Sequence, residues 1–257
     1  MPTPIVIYLG PSAIDGSPIV VLASTASKNV KTGSMVQTWI MRADLHPSEA
    51  SARGEDSSIC GSCPRRHSLG GDCYVQIVHA PRSVWLAWER AGKLGENWAD
   101  HTEILRLQAD SRAYGLRLGS YGDPMAVPAS VWQDLIDALQ PRSVVGYTHQ
   151  WQSTTRSDRE YQWFVDHVMA SCDTPEEAER ARWIGWRYFL AVQPGSSIPE
   201  RTIQCPATRS RSPLTCDQCG ICNGSAKGAS KASVFLLEHG MRSIAKAKRA
   251  KGLEVLR

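Results

Sequence analysis

Short apolar segments alternate with amphipathic segments through the middle of the chain, and this pattern predicts its secondary structure. Between residues 73 and 192, stretches that read as strands are followed by stretches in which apolar positions recur at helical spacing. In residues 128–139, for example, Trp132, Leu135 and Leu139 fall on one face of a predicted amphipathic helix. Repeated alternation of this kind is typical of parallel βαβ units with right-handed crossovers.

The predicted elements extend beyond this repeat at both ends. The strands of the repeat are residues 73–80, 114–120, 143–149, 168–172 and 186–192, and its helices are residues 82–93, 128–139, 158–167 and 173–185. Further strands are predicted before the repeat at 4–10, 17–24 and 34–41, and after it at 201–205 and 232–239.

This order of elements predicts the fold class α/β. The expected architecture is a (β/α) barrel of the TIM type, irregular or incomplete in form, and an open doubly wound sheet is the alternative. No G-x-G-x-x-G sequence follows a strand, which weakens the dinucleotide-binding form of the open sheet. We expect one barrel-like domain over residues 1–257, with strands or a hairpin in 1–45 and a basic helix in 240–257.

Composition and charge narrow the function classes. The 257 residues are 42% hydrophobic and 21% charged, and no apolar stretch approaches the ~20 residues that span a bilayer. The first residues lack the basic and apolar regions of a signal peptide, so the expected location is the cytoplasm, without a membrane partner. The net charge of +4 owes much to the C-terminal basic run, which is typical of a solvated helix face and does not predict a nucleic-acid partner.

The eight cysteines fall into two groups and one isolated residue. In a chain without an export signal, such groups indicate metal ligands or reduced thiols rather than disulfides. The first group is Cys60, Cys63 and Cys73, the second is Cys205, Cys216, Cys219 and Cys222, and Cys172 stands alone.

The second group has the spacing of an iron–sulfur ligand loop. Cys216, Cys219 and Cys222 form a C-x2-C-x2-C run, and Cys205 is followed by Pro206, like the remote ligand of bacterial ferredoxins. The loop 205–224 is therefore predicted to bind a [4Fe-4S] cluster, or a [3Fe-4S] form if one ligand is missing. A zinc site and unligated thiols are the alternatives.

The first group has three cysteines, and two kinds of metal site could be built from it. His67 would add a fourth donor for a Cys3His zinc knuckle. Alternatively, Cys60, Cys63 and Cys73 hold a second iron–sulfur cluster whose fourth iron is open or meets a distant residue such as Cys172.

The carboxyl ends of the predicted strands carry polar and titratable residues. In both candidate architectures this edge holds the ligand site. Tyr121, Asp123, His149 and Trp151 are expected to line a cleft there, with Asp123 or His149 able to move a proton. The cysteine loop 205–224 is expected over the same edge, because a predicted strand leads directly into Cys205.

Several stretches resemble a group of uncharacterised bacteriophage-encoded proteins. They include "ICGSCP", "GGDCYV", "RLGSYGDPMAVP", "VVGYTHQW", "MASCDTPEEAERARWIGWRYFLA" and "TCDQCGICNG", and they cover most of residues 58–224. The resemblance implies a cysteine-rich (β/α)-barrel iron–sulfur protein, distantly similar to radical S-adenosylmethionine enzymes. The C-x3-C-x2-C hallmark of those enzymes is absent, so the resemblance implies a cluster and a barrel but no reaction.

Two functions follow as hypotheses. The first is a phage-encoded iron–sulfur protein in the host cytoplasm, acting in electron transfer or as a redox or radical-type enzyme at the strand-end cleft. Its partner would be a redox protein or a small-molecule ligand. The second is an interaction or nucleic-acid-binding protein in which both cysteine groups hold structural zinc.

Overall fold

A computed structural model describes residues 4–25, 29–93, 101–153, 157–208, 214–226 and 231–238. The basic helix predicted for 240–257 lies outside the described residues. Among the helices that are described, none is both long and apolar enough to cross a membrane.

The described strands form two five-stranded sheets. The first contains β1 (Ile5–Pro11), β2 (Pro18–Ser24), β3 (Val36–Arg42), β4 (Leu116–Tyr121) and β5 (Val144–Val145). The second contains β6 (Tyr147–Thr148), β7 (Met169–Cys172), β8 (Tyr188–Val192), β9 (Thr202–Gln204) and β10 (Ser233–Leu237).

Helices fill the connections between the strands. They are α1 (Pro47–Ala52), α2 (Ser57–Cys60), α3 (Ala80–Arg90), α4 (His101–Tyr114), α5 (Ala129–Leu139), α6 (Asp158–His167), α7 (Pro175–Trp183) and α8 (Cys216–Cys219). Short 3-10 turns lie at His67–Leu69, Pro124–Ala126, Gln150–Gln152 and Pro206–Thr208.

Most neighbouring strands in the two sheets are parallel. In the first sheet the order is β1-β2-β3-β4-β5, with β1, β2 and β3 antiparallel and β3, β4 and β5 parallel. In the second sheet the order is β6-β7-β8-β10-β9, and every pair is parallel. Gly146 alone separates β5 from β6, so the carboxyl ends of β4, β6, β7, β8 and β10 lie towards a common edge.

The prediction of an α/β fold with parallel strands is confirmed, whereas a closed TIM barrel is not formed by the described strands. The antiparallel strand β1 ends one sheet, the three-residue strand β9 ends the other, and no described ladder joins them. The prediction of a strand at 73–80 is wrong. This segment is a turn because its backbone closes the preceding loop, with the Cys73 N–H donating to Arg65 O over 2.9 Å.

Helix α4 was not among the predicted elements. Its apolar pattern is weak, since the described part buries Leu107 and Ser111 while much of the remaining surface is polar. The other predicted helices correspond to α3, α5, α6 and α7, and the remaining predicted strands correspond to observed ones.

The core follows the amphipathic pattern of the helices. Helix α5 buries Trp132, Leu135 and Leu139, as predicted. The Trp132 indole also donates a hydrogen bond from Nε1 to the Pro124 carbonyl oxygen at 2.9 Å, where the chain leaves β4. This helix therefore fixes the segment that begins at the carboxyl end of β4.

Trp132→Phe is expected to lower the free energy of unfolding by about 1–3 kcal/mol, since it opens a small cavity and removes one of the two donors to the Pro124 carbonyl, which keeps the Val127 N–H. The matched control is Trp183→Phe, because Trp183 is 87% exposed and should change stability by less than about 0.5 kcal/mol. Urea unfolding followed by circular dichroism would measure both variants. Equal stability of the two would contradict the assignment of Trp132 to the core.

Candidate functional site

Four cysteines from two separate segments line one small pocket. Cys205 directly follows β9, as predicted, and Cys216, Cys219 and Cys222 come from residues 214–226. The remaining walls include Val145, Tyr147 and Val234. The structure thus brings together the four thiols that the spacing singled out.

The loop that carries three of these thiols lies at the amino ends of the strands, so its predicted position over the carboxyl ends is wrong. The Cys216 N–H donates to Lys31 O over 2.9 Å, just before β3. The Gly146 N–H, between β5 and β6, donates to Cys222 O over 3.4 Å. Of the four cysteines, only Cys205 directly follows the carboxyl end of a strand, β9.

Local sequence explains the tight path of this loop. Thr215 and Gln218 form a capping box at the start of α8, each side chain bonding to the other residue's backbone N–H. Gly220 ends the helix with φ +61°, a left-handed conformation that glycine adopts without strain. The chain can therefore reverse between Cys219 and Cys222 so that both line the pocket.

A buried arginine without a described carboxylate partner lies near Cys216 and Tyr147 of this pocket. Arg117, on β4, donates from Nη2 to the Tyr74 hydroxyl at 2.5 Å, and its Nε has no hydrogen-bond partner. No carboxylate in the described part of the chain pairs with it, whereas Arg42, Arg65 and Arg66 each pair with at least one. Burial opposes its charge, but Tyr74, Tyr147 and Cys216 raise the pKa of Arg117. The pocket therefore has an uncompensated positive charge on one side.

A second arginine, Arg187, holds the other end of the cysteine loop. Its Nη1 donates to Asn223 Oδ1 at 2.9 Å and to Gly224 O at 2.6 Å, and its Nη2 donates to Ile221 O at 2.7 Å. Nη2 and Nε also donate to Ala232 O, ahead of β10. All of these acceptors are neutral. Arg187 thus adds positive charge near Cys222 while it fixes the backbone around that residue.

Burial favours the neutral thiol form at three of the four cysteines of this pocket. Burial raises the pKa of Cys222 to about 12, although a hydrogen bond from Tyr147 opposes the shift. Burial also raises the pKa values of Cys205 and Cys216. Since metals bind the thiolate form, loading this site would release protons.

The first cysteine group lies at the opposite, carboxyl-end edge. Cys60 ends α2, and its thiol interacts electrostatically with those of Cys63 and Cys73. The Gln150 side-chain amide donates to Cys60 O at 3.1 Å, which ties the group to the segment after β6. Gly61 allows the Gln150 side chain to come this close because glycine has no side chain and adopts φ +55° without strain.

The histidine that lies next to this group is His149, whereas the sequence suggested His67 or Cys172 as the fourth ligand. His67 has its Nε2 at 2.9 Å from Val75 O, and the charged neighbours of Cys172 are Glu177, Asp173 and Arg180. By contrast, His149 contacts the Cys63 thiol.

His149 lies in an anionic setting. Its Nε2 is 3.3 Å from Asp173 Oδ2, but the geometry falls short of a hydrogen bond, and both buried atoms lack a hydrogen-bond partner among the described residues. Burial lowers the pKa of His149, yet interactions with Asp173 and Cys63 outweigh burial and raise the pKa to about 10. The backbone N–H of His149 donates to Asp123 Oδ2 at 2.8 Å. Backbone and ring are therefore both oriented by carboxylates.

A polar cleft of about 1470 Å³ adjoins this edge. Arg65 crosses its wall and pairs with Asp173, with Glu238 at 2.6 Å and with Asp72 at 3.2 Å. Burial opposes its charge, but the carboxylates of Asp173 and Glu238 raise the pKa of Arg65. Since three carboxylates pair with this guanidinium, Arg65 holds the wall of the cleft together and has no free positive charge for a ligand.

None of the four residues predicted to line a cleft at this edge is among the residues that line this one. Tyr121 is buried beside Cys60. Asp123 is buried and accepts hydrogen bonds from the backbone of Met125 and of His149, so it acts as a structural acceptor. Trp151 lies in the core, with Nε1 donating to the Ser171 carbonyl oxygen. His149 lies behind Asp173, which does line the cleft.

Within the described part of the chain, no group of three or more His, Cys, Asp and Glu side chains is arranged so that it could hold a metal ion. Sequence reasoning passed over the two arginines beside the second cysteine group. The signal was present, since Arg117 interrupts an apolar strand and Arg187 immediately precedes one. Comparison with known proteins gave no match to any family model, curated protein or solved structure.

Proposed function

We propose that the chain is an iron–sulfur protein whose cluster, a [4Fe-4S] centre, is held by Cys205, Cys216, Cys219 and Cys222. The observation that carries this proposal is the convergence of these four thiols, from two segments, on one small pocket. Each thiolate of such a site binds a different iron atom, so the four sulfurs surround a volume instead of meeting at one point. A cluster of this kind supplies one-electron redox chemistry when it is bound.

The charges around the pocket support the same proposal. A centre built from four thiolates is anionic, and burying an anion requires compensating charge or hydrogen bonds. Arg117 and Arg187 supply positive charge without a described carboxylate to neutralise it, and the Tyr147 hydroxyl hydrogen-bonds to Cys222. Donors beside the sulfur ligands also tune the reduction potential of such a centre.

The proposed role is electron transfer or redox catalysis by a bacteriophage-encoded protein in the cytoplasm of the host cell. The cluster pocket and the polar cleft lie at opposite edges of the sheet, so a redox partner protein could approach one edge while a small-molecule ligand occupies the other. Electron transfer alone needs only the first edge. A radical-type or other redox enzyme needs both.

Protein purified without oxygen is expected to be brown and to contain iron and sulfide, with a paramagnetic signal after reduction by dithionite. Cys219→Ala should lower the iron content by about one to four atoms per chain, because a cube that loses one thiolate either keeps three irons as a [3Fe-4S] form or is released. The control is Cys172→Ala, which removes a buried thiol outside both cysteine groups and should leave the iron content unchanged.

Two results would count against the proposal. Colourless protein with stoichiometric zinc would favour the interaction protein stabilised by structural zinc. Iron that is fully retained in Cys219→Ala would show that the four-thiol pocket does not hold it.

A further inference from the structure

We infer that Cys60, Cys63, Cys73 and His149 form a second, separate iron–sulfur centre, with the imidazole as its fourth protein ligand. This site goes beyond the proposed function, which concerns the four thiols at the opposite edge. It would be a mixed-donor cluster site of three thiolates and one imidazole, next to the polar cleft.

The first argument is the convergence of the donors from three parts of the chain. Cys60 ends α2, Cys63 and Cys73 lie in the loop after it, and His149 follows β6. The Cys60 thiol interacts with the other two thiols, and the His149 ring contacts Cys63. Thiolate and imidazole are the ligand types that iron–sulfur centres use.

The second argument is that the loop is built to present these thiols. The Cys73 N–H donates to Arg65 O, and the Cys63 N–H donates to Cys60 O at 3.1 Å, so hydrogen bonds fold the loop back on itself between the cysteines. Gln150, the residue after His149, donates from its side-chain amide to Cys60 O and so links the loop to the segment that carries the imidazole. A loop of unligated thiols would need no such link to the imidazole segment.

The third argument is the carboxylate behind the imidazole. Ligating histidines generally face a carboxylate or carbonyl with their second nitrogen, which fixes the orientation of the ring. Asp173 Oδ2 lies 3.3 Å from His149 Nε2, and neither atom has another hydrogen-bond partner among the described residues. Asp173 is in turn held by Arg65, two residues after Cys63. Asp173 is therefore a positioning residue for the ligand His149.

The test compares metal content in variants of the two sites. Anaerobically purified wild-type chain is expected to contain about eight irons and eight sulfides, and Cys63→Ala and Cys219→Ala should each contain about one to four irons fewer. Unchanged iron in Cys63→Ala, or zinc bound in its place, would overturn the second centre and leave the four-thiol proposal intact. Loss of iron in Cys63→Ala but not in Cys219→Ala would support the second centre while overturning the proposed function.

The identity of the fourth ligand is tested by spectroscopy that does not depend on a variant folding. Pulsed electron paramagnetic resonance of the reduced protein should show a hyperfine coupling to a directly bound nitrogen. That coupling should change to the ¹⁵N pattern when only histidines are ¹⁵N-labelled. It should disappear in His149→Ala and persist in His67→Ala, the control for the other nearby histidine. No coupling in the wild type, or a coupling that survives in His149→Ala, would overturn the assignment of His149.

Discussion

Arg117→Met is expected to have opposite effects in the metal-free and the metal-loaded protein. Without metal, Arg117 is a buried cation with no carboxylate partner among the described residues, and its replacement by an apolar side chain of similar length should raise the free energy of unfolding by about 1–4 kcal/mol. The only described hydrogen-bond partner that it loses, the Tyr74 hydroxyl, is on a largely exposed side chain that water can serve. The arginine thus destabilises the empty chain.

With the proposed cluster bound, the same substitution removes a counter-charge from an anionic centre. Outer-shell changes of this kind typically weaken metal binding by about 10–100-fold, so iron should pass to a chelator correspondingly faster. The two measurements are urea unfolding of the metal-free protein and the rate of iron loss from the loaded protein. Arg112→Met, an exposed arginine on α4, should change neither.

A change of the same sign in both states would contradict this interpretation of Arg117. If the variant were less stable even without metal, the guanidinium would be compensated in the native protein by a group other than the cluster. If it were more stable in both states, no anion would bind near it.

Arg187→Leu is expected to lower the free energy of unfolding by about 3–5 kcal/mol, the range for breaking a buried charged hydrogen-bond network. The guanidinium serves acceptors from Ile221 to Gly224 and also Ala232 O, so its removal leaves several polar groups in a buried region without donors. Tryptophan fluorescence during urea unfolding measures the loss. The iron content should fall as well, because Cys222 lies within the released segment.

The matched variant is Arg187→Lys, which keeps the charge but has fewer donors in a different geometry. We expect a destabilisation between that of the leucine variant and the wild type. If lysine and leucine were equally damaging, geometry alone would matter. If both were harmless, the network would be incidental to the fold.

The elements that the sequence predicted well are those with a strong local pattern. Helix α5 has a wide apolar face, and α7 has Thr174 accepting from the Glu177 N–H at its start, so each is specified by nearby residues. Helix α4 has a weak apolar pattern, which gave no comparable signal. The segment 73–80 alternates like a strand, but its backbone hydrogen bonds lie within the loop, and none of the described strands pairs with it.

The closure of the barrel and the location of the cysteine loop could not be read from local pattern. Both depend on which distant backbone groups pair, such as Cys216 N–H with Lys31 O. Spacing was enough to group Cys205 with Cys216, Cys219 and Cys222. The approach of His149 to Cys63 could not be inferred, because it depends on the packing of β6 against the loop after α2.

The docking of the cysteine loop on residues before β3 also constrains the order of folding. The Ser34 N–H donates to the Asp217 carboxylate across 183 residues of sequence, so this contact forms only after most of the chain has left the ribosome. Contacts of such long range close late and slowly, since the entropy of closing the intervening loop must be overcome first. The amino-end pocket is therefore completed late, and its thiols remain exposed to oxidants and to metal donors until then.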